Sequence, residues 1–315
     1  MRAFITGVTG FAGSHLAENL LAHGIEVAGT TLRGESRHNI RAVADQVKIV
    51  QASLEDTAIL KKFLADYRPD WVFHLAALAA VGPSFSRPIE TLEVNLMGTA
   101  RLYETLRGCK STKKIVFVSS ADIYGPVPPE KMPIKPDYPL RPVSPYGASK
   151  AAADILSYQY YRAYGLPVVR VRAFNHTGPR QATGYVIPDF CSQIAKIERG
   201  RKRGVIKVGD LSAKRDLADV RDIVEGYRLA AKRGVVGEAY ILASGKADRI
   251  RNYLELLTKM ANAEITVRVD QALIRPVEVP LLVGNITKAR KELGFRPRYR
   301  IEQTLLDTLE YWRMN

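Results

Sequence analysis

Residues 2–13 read RAFITGVTGFAG, a short β-forming run followed by glycines at positions 7, 10 and 13. Leucines recur at helical spacing over residues 16–21, and Gly24 is placed to end that helix. Glycines between a strand and a helix permit a tight turn, let the backbone approach a phosphate, and direct the helix N-terminus at that anion. The stretch predicts a strand–turn–helix unit that binds a dinucleotide, although a glycine-rich turn without a ligand gives the same pattern.

The order of strand and helix then repeats through the first half of the chain. Ser144 and Pro145 suit the N-cap and first turn of a long helix. Further strands are predicted over 25–29, 47–51, 71–74, 114–118 and 168–172, and helices over 56–67, 89–107 and 144–164. Strands and helices that alternate in this way form a parallel sheet with helices on both faces. We therefore expect an α/β fold with a Rossmann-like doubly wound sheet.

After Arg172 the alternation becomes less regular. Residues 175–184 predict a loop, whereas 219–232 and 238–243 predict a helix and a strand that return to the sheet. Further helices are predicted over 187–198, 249–262 and 301–313. The sequence thus predicts two domains: a dinucleotide-binding domain of residues 1–172 and 216–245, and a smaller mixed C-terminal lobe of residues 173–215 and 246–315.

Composition and charge narrow the class of protein. The chain has 315 residues, of which 46% are hydrophobic and 25% charged, and this excludes a disordered, collagenous or disulfide-stapled chain. The net charge is +15, with 18 Lys+Arg against 15 Asp+Glu in residues 1–157 and 29 against 17 in residues 158–315. The basic second half fits a nucleic-acid surface, a site for an anionic small ligand, or surface charge that serves solubility.

The sequence shows no pattern typical of a metal site, a signal peptide or a membrane-spanning segment. Cys109 and Cys191 have no metal-ligand spacing, and the five histidines form no HxxxH pair, so we expect no metal site. The N-terminus does not read as a signal peptide, and the most apolar run, 71–81, is too short to cross a bilayer. We expect a cytoplasmic protein with no membrane partner.

Two short motifs carry candidate chemistry. Tyr146 and Lys150 are separated by four residues on the predicted helix and so share a face. An ammonium beside a phenol lowers the phenol pKa from about 10 and makes it a usable acid or base. Ser119 and Ser120 follow the strand that ends at Val118, where parallel sheets bind ligands. Each motif alone also fits a surface pair or a turn.

Together, in this order and spacing, the motifs resemble those of the extended short-chain dehydrogenase/reductases, most of which act on nucleotide sugars. The resemblance covers essentially the whole chain and implies Ser120, Tyr146 and Lys150 as the catalytic triad. Asp122 stands where similar dehydratases carry a glutamate base, and Asn95 matches the family's structural asparagine. The residues implied to contact the cofactor are Gly7, Gly10, Phe11, Ala12, Gly13, Thr31, Arg33, Ser53, Leu54, Leu75, Ala76, Ala77, Tyr146 and Lys150.

Two departures from the family pattern concern the cofactor. Ser53 replaces an aspartate that usually stands near the adenine. The end of the second strand, residues 29–33, has no acidic residue to hold a ribose 2′-hydroxyl. Thr31 stands there instead, and Arg33 is placed to meet a 2′-phosphate. We therefore expect NADP(H) as the preferred cofactor, with NAD(H) as the alternative.

The second half narrows the resemblance to the branch that acts on GDP-linked 6-deoxyhexoses. Residues 172–180, 210–222 and 274–284 carry it. It implies a nucleotide-sugar-binding lobe in which guanidinium groups clamp a diphosphate. The implied substrate-binding residues are Asn175, Arg180, Arg215, Arg275 and Glu278. Local ion pairs are the alternative interpretation for the arginines, and a structural hydrogen bond is the expectation for His176.

Within this branch, residues 140–146 and 279–284 resemble the reductases of GDP-4-dehydro-6-deoxy-D-mannose, which implies reduction of the C4 ketone to GDP-D-rhamnose. The alternatives are a GDP-mannose 4,6-dehydratase and another nucleotide-sugar epimerase or reductase. Asp122 is shorter than the glutamate of similar dehydratases and disfavours the dehydratase, because catalytic geometry tolerates little misplacement. A non-enzyme alternative is a dinucleotide-sensing or RNA-binding protein. The basic run 196–207 lacks aromatic residues for base stacking, so we expect no nucleic-acid partner. The resemblance also implies a homodimer through residues 89–107 and 144–164.

Overall fold

A computed structural model describes residues 1–200, 203–274 and 279–315. The strands in these ranges are β1 (Arg2–Thr6), β2 (Glu26–Thr31), β3 (Val47–Gln51), β4 (Trp71–His74), β5 (Lys114–Ser120), β6 (Val168–Ala173), β7 (His176–Thr177), β8 (Arg203–Val208), β9 (Lys214–Asp216), β10 (Ala218–Asp219), β11 (Ala239–Leu242), β12 (Ala247–Arg249), β13 (Glu264–Val269) and β14 (Leu281–Leu282). The α-helices are α1 (Phe11–Ala22), α2 (Thr57–Tyr67), α3 (Val81–Ser86), α4 (Pro88–Leu92), α5 (Gly98–Arg107), α6 (Pro145–Tyr164), α7 (Val186–Gly200), α8 (Val220–Arg233), α9 (Ile250–Met260) and α10 (Ile301–Met314).

Seven parallel strands form the main sheet in the order β11-β6-β5-β4-β1-β2-β3. The order reverses between β1 and β4, and such a reversal opens a crevice at the carboxyl ends of the strands. This arrangement confirms the predicted α/β class and the Rossmann-like doubly wound sheet.

Side chains alternate across the sheet because successive strand residues point to opposite faces. Ala3 and Ile5 join a core cluster with residues of α1 and α8, whereas Phe4 joins a second cluster with residues of α2, α5 and α6. Helices therefore cover both faces, and the strands can be apolar along nearly their whole length.

The bounds of the predicted elements agree with the structure to within about two residues, apart from two segments. The structure also contains α3, β8, β9, β10, β12, β13 and β14, which the sequence did not predict. The helix predicted over 89–107 is interrupted by a π-helical turn, Glu93–Met97, between α4 and α5. Such a turn contains an extra residue, and here it contains Asn95, whose amide bonds the Leu78 backbone and Ser149. The loop predicted over 175–184 contains β7, which pairs with β10.

A third core cluster lies apart from the sheet. It is built from α7, β8, α9 and α10 and includes Ile194, Ile206, Leu254 and Leu305. The chain enters this region after β6 and returns to the sheet for α8 and β11. The division into two domains stays a prediction. Across the described ranges, no helix has both the length and the apolar character to cross a bilayer.

Candidate functional site

A cavity of about 780 Å³ opens at the carboxyl ends of the sheet strands. Its walls come from the turn after β1, the ends of β2, β5 and β6, and the first turn of α6. Segments from both halves of the chain reach it, including Arg215 of β9 and Leu282 of β14. This cavity therefore lies where the strand order places a crevice.

The turn between β1 and α1 requires glycine for steric reasons. Gly7 has a φ of +73°, in the left-handed region that favours glycine. A Cβ on Gly13 would lie 2.1 Å from the Gly7 carbonyl oxygen, and a Cβ on Gly7 would lie 3.4 Å from Ala76 Cα. The backbone is thus packed too closely at Gly13 to accept any side chain.

A nucleotide pyrophosphate fits this turn. Gly10 is the N-cap of α1 and has no side chain to bond the first amides of the helix, which leaves them for an anion. Gly7, Gly10, Phe11, Ala12 and Gly13 all line the cavity. The predicted cofactor loop therefore has the shape and polarity that a dinucleotide needs.

The three residues of the predicted catalytic triad line the same cavity. Ser120 ends β5, Tyr146 lies in the first turn of α6, and Lys150 follows one turn later; all three are buried and line the cavity. Ser144 caps α6 by accepting a hydrogen bond from Gly147 N at 3.0 Å, and this fixes where the helix begins. The Tyr146 hydroxyl is hydrogen-bonded to Ser120.

The electrostatics differ from the expectation that Lys150 lowers the pKa of Tyr146. Burial and the nearby Asp122 carboxylate raise the Tyr146 pKa above its ordinary value, and the hydrogen bond to Ser120 opposes them only in part. Burial lowers the pKa of Lys150 to about 8, although Asp154 counteracts it. The Lys150 ammonium lies 4.7 Å from the centroid of the Phe117 ring. Desolvation outweighs the pairwise charges because both side chains are enclosed.

Asp122 is bound to the catalytic serine. Ser120 Oγ donates a hydrogen bond to Asp122 Oδ2 at 3.0 Å and accepts one from Asp122 N at 3.2 Å. Tyr146, Ser120 and Asp122 thus form one connected chain of side chains facing the cavity.

At the end of β2, the expectation that no acidic group is present requires correction. A turn with Gly34 at φ +78° folds the chain back, so that Glu35 Oε2 accepts hydrogen bonds from Thr31 Oγ1 at 3.1 Å and Leu32 N at 3.0 Å. Glu35 and Thr31 line the cavity, whereas Arg33 is exposed and lies outside its lining. The group placed here is therefore a carboxylate.

The remaining predicted cofactor residues lie along the same wall. Ser53, Leu54, Leu75, Ala76 and Ala77 line the cavity. The Ser53 hydroxyl donates to Asp56 Oδ2 at 2.9 Å, so it is already engaged at the start of α2. The amides of Leu75 and Ala76 donate to Thr6 Oγ1, which holds this segment against the glycine turn.

The predicted substrate residues separate into three groups. Asn175 and Arg215 line the cavity. Arg180 lies outside that lining, because its guanidinium donates to Glu18 Oε2 at 2.8 Å and to the Asn39 carbonyl at 2.8 Å. This is the ion pair that the sequence left as the alternative for Arg180. Arg275 and Glu278 fall outside the described residues.

The structure adds cavity residues that the sequence reasoning missed. Glu35, Gln181, Tyr185 and Tyr227 line the cavity. An acidic residue two positions beyond Arg33 was a usable signal for Glu35. Tyr227 had no such signal, because it lies on the buried face of α8, 81 positions from Tyr146. Within the described ranges, no group of three or more His, Cys, Asp or Glu side chains is arranged to hold a metal ion.

Comparison with known proteins agrees with this geometry. The family model described as GDP-mannose 4,6 dehydratase matches residues 4–308. The GDP-6-deoxy-D-mannose reductase of Pseudomonas aeruginosa is 32% identical over 99% of this chain and 97% of its own length. The GDP-mannose 4,6 dehydratase of Homo sapiens is 30% identical over 96% of this chain and 88% of its own. The solved structure of RMD from Pseudomonas aeruginosa, complexed with NADPH, is 30% identical, covers 99% of both chains and has a TM-score of 0.85.

Proposed function

Because the chain belongs to the GDP-mannose 4,6-dehydratase family of NAD(P)-dependent enzymes of the short-chain dehydrogenase/reductase type, we propose that it reduces the C4 ketone of GDP-4-dehydro-6-deoxy-D-mannose to give GDP-D-rhamnose. The family includes both reductases and dehydratases, so the choice between them depends on the site. The proposal also places the enzyme in the cytoplasm, in keeping with nucleotide-sugar metabolism.

The contact between Asp122 and Ser120 is the observation that favours a reductase over a dehydratase. A dehydratase needs a carboxylate that removes the C5 proton of the sugar. Here the carboxylate is one methylene shorter than the glutamate of similar dehydratases, and it accepts the Ser120 hydroxyl at 3.0 Å. A carboxylate that is hydrogen-bonded to the catalytic serine is poorly placed to remove the C5 proton, because a base must come within hydrogen-bond distance of the proton that it takes. The arrangement therefore favours reduction.

The protonation of Tyr146 supports the same direction. Reduction of a ketone needs a proton donor beside the oxygen, whereas oxidation of the C4 hydroxyl needs a phenolate. Burial and Asp122 raise the Tyr146 pKa, so the neutral, proton-donating form predominates at neutral pH. Tyr146 would give its proton to O4, and the Ser120 hydroxyl would rotate to bond the same oxygen. Lys150 would donate hydrogen bonds to the hydroxyls of the nicotinamide ribose and so hold the reactive ring beside Tyr146.

A nicotinamide dinucleotide is the cofactor, and when bound it supplies the hydride. The glycine turn with Gly7, Gly10 and Gly13 would hold its pyrophosphate. Asn175 and Arg215 line the part of the cavity that we assign to the GDP-linked sugar, where a guanidinium suits a diphosphate.

The preference between the two dinucleotides needs a second proposal. The expectation of NADP(H) rested on the lack of an acidic group at the end of β2, and Glu35 occupies that place. A carboxylate can accept a hydrogen bond from a ribose 2′-hydroxyl but repels a 2′-phosphate. We propose that NADH binds at least as tightly as NADPH.

One assay separates the two candidate functions. The purified protein receives GDP-mannose alone in one reaction, and GDP-4-dehydro-6-deoxy-D-mannose with NADH or NADPH in another. The proposal predicts stoichiometric loss of reduced cofactor and formation of GDP-D-rhamnose only in the second reaction. A 4-keto product from GDP-mannose alone would establish the dehydratase instead, which the family model and the human relative keep as the second candidate.

A further inference from the structure

Tyr227 of α8 is a fully buried residue whose hydroxyl has no hydrogen-bond partner among the described residues. The residue also lines the cavity at the carboxyl ends of the sheet strands. The catalytic assignment above gives it no role.

An unpaired phenol is unusual in this protein. The buried hydroxyl of Tyr103 bonds Ser157 at 2.6 Å, that of Tyr124 accepts from Arg172 at 2.9 Å, and that of Tyr240 donates to Glu292 at 2.7 Å. Buried hydroxyl groups are almost always paired, because removing one from water without a new partner destabilises the fold. A phenylalanine at position 227 would avoid that cost, so the hydroxyl of Tyr227 calls for a partner from outside the chain.

The packing of α8 shows which part of the cavity the Tyr227 side chain reaches. The helix packs on α1, the helix that follows the glycine turn, and Asn19 of α1 donates to Glu225 of α8 at 3.2 Å. Tyr227 is also close enough to Tyr146 for the charge of an ionised Tyr146 to raise its pKa, although burial is the larger cause. Tyr227 thus lies on a helix that packs against α1, lines the cavity and is near the catalytic tyrosine. A dinucleotide bound at the glycine turn would bring its nicotinamide to the same tyrosine.

We propose that the Tyr227 hydroxyl forms a hydrogen bond with the carboxamide group of the nicotinamide. A carboxamide offers a carbonyl oxygen and an amino group, and a phenol can donate to the first or accept from the second. The bond would fix the rotation of the nicotinamide beside Tyr146. This inference rests on the nicotinamide cofactor and not on the direction of the reaction, so it can fail while the proposed function holds.

The test compares binding by Tyr227→Phe and by the parent protein, measured by calorimetry without sugar substrate. The probes are NADH, ADP-ribose, which lacks the nicotinamide, and GDP-mannose. We expect the variant to bind NADH about tenfold more weakly, the usual scale for one hydrogen bond, and to bind ADP-ribose and GDP-mannose as the parent does. Its unliganded thermal midpoint should stay equal or rise, because the substitution removes only an unpaired group.

Tyr103→Phe is the matched control, since it removes a buried phenol that is paired with Ser157. It should lower the thermal midpoint and leave the ratio of NADH to ADP-ribose affinity unchanged. Unchanged NADH affinity in Tyr227→Phe would overturn the inference. Equal weakening of NADH and ADP-ribose would also overturn it by indicating a general disturbance of the site, and selective weakening of GDP-mannose would assign the hydroxyl to the sugar.

Discussion

Ser120 has one hydroxyl proton, for which two acceptors compete: the Asp122 carboxylate and the ketone oxygen of the substrate. In the unliganded protein the proton goes to Asp122 at 3.0 Å, and Tyr146 bonds the same oxygen. A ketone oxygen entering beside Tyr146 can take that proton because a hydroxyl rotates at little cost. Asp122 then acts by orienting Ser120 before the substrate arrives.

Tyr146→Phe should reduce turnover by about 10² to 10⁴-fold, the usual contribution of a positioned proton donor. Binding of NADH should change little, because the ring and its packing are kept. Steady-state rates and cofactor titration measure the two quantities separately. Tyr160→Phe is the control, since Tyr160 lies on the same helix with its hydroxyl on Glu104; full activity in Tyr146→Phe would contradict the assignment.

The pH dependence of kcat/KM should follow the ionisation of Lys150. Burial lowers its pKa to about 8, so its charged form predominates below that pH and is lost above it. A neutral Lys150 would bond the hydroxyls of the nicotinamide ribose more weakly than the charged form, and would hold the reactive ring less firmly beside Tyr146. We therefore expect kcat/KM to fall as the pH rises through about 8, measured with saturating cofactor. A profile that stays flat well above this pH would contradict the role given to Lys150.

Glu35→Gln should change the choice of dinucleotide. The substitution removes the charge that repels a 2′-phosphate and keeps an oxygen able to accept from Thr31 and Leu32. We expect NADPH to bind about tenfold more tightly relative to NADH, on the scale of one lost charge repulsion near the surface. Calorimetry with both cofactors measures the ratio. The control is Glu130→Gln, at an exposed position outside the cavity lining. If Glu35→Gln leaves the ratio of NADPH to NADH affinity unchanged, Glu35 does not select the cofactor.

At the scale of elements, most of the site followed from local rules. The helix capped by Ser144 begins where the sequence predicted, and the strand predicted to end at Val118 extends two residues further, to Ser120. The π-helical turn around Asn95 did not follow, because it depends on a bond to Ser149, 54 residues away. Glu35 was missed because a turn, with no periodic pattern, returns it to the cavity.

Gly13→Ala should distort the glycine turn and weaken cofactor binding. Its Cβ would lie 2.1 Å from the Gly7 carbonyl oxygen, and this contact is to backbone, which cannot turn aside as a flexible side chain can. We expect at least about tenfold weaker NADH binding and a lower thermal midpoint, because overpacking distorts the turn that binds the cofactor and destabilises the fold. Gly200→Ala, where nothing lies within 4 Å of the added Cβ, should change neither measurement. Parent-like binding by Gly13→Ala would contradict the close packing.

At the scale of the whole molecule, the sequence could not pair residues that are distant in the chain. Arg180 shows this well, because Glu18 lies 162 positions away and only the fold brings the two together. The +15 net charge is similarly uninformative by itself. Some of the basic residues are neutralised in ion pairs, as Arg172 is with the buried Asp154, and Arg215 reaches the cavity.

The predicted homodimer remains to be tested on two helices with exposed apolar side chains. Ile89 of α4 is 70% exposed and Ile155 of α6 is 59% exposed, and both lie in the segments that the family resemblance implies for pairing. A charge buried without a partner in such an interface is strongly unfavourable. Ile155→Glu should therefore halve the mass measured by light scattering after size exclusion, whereas Val235→Glu, 54% exposed after α8, should leave it unchanged. A parent protein that is monomeric at micromolar concentration, or a dimer that survives Ile155→Glu, would exclude pairing through α6.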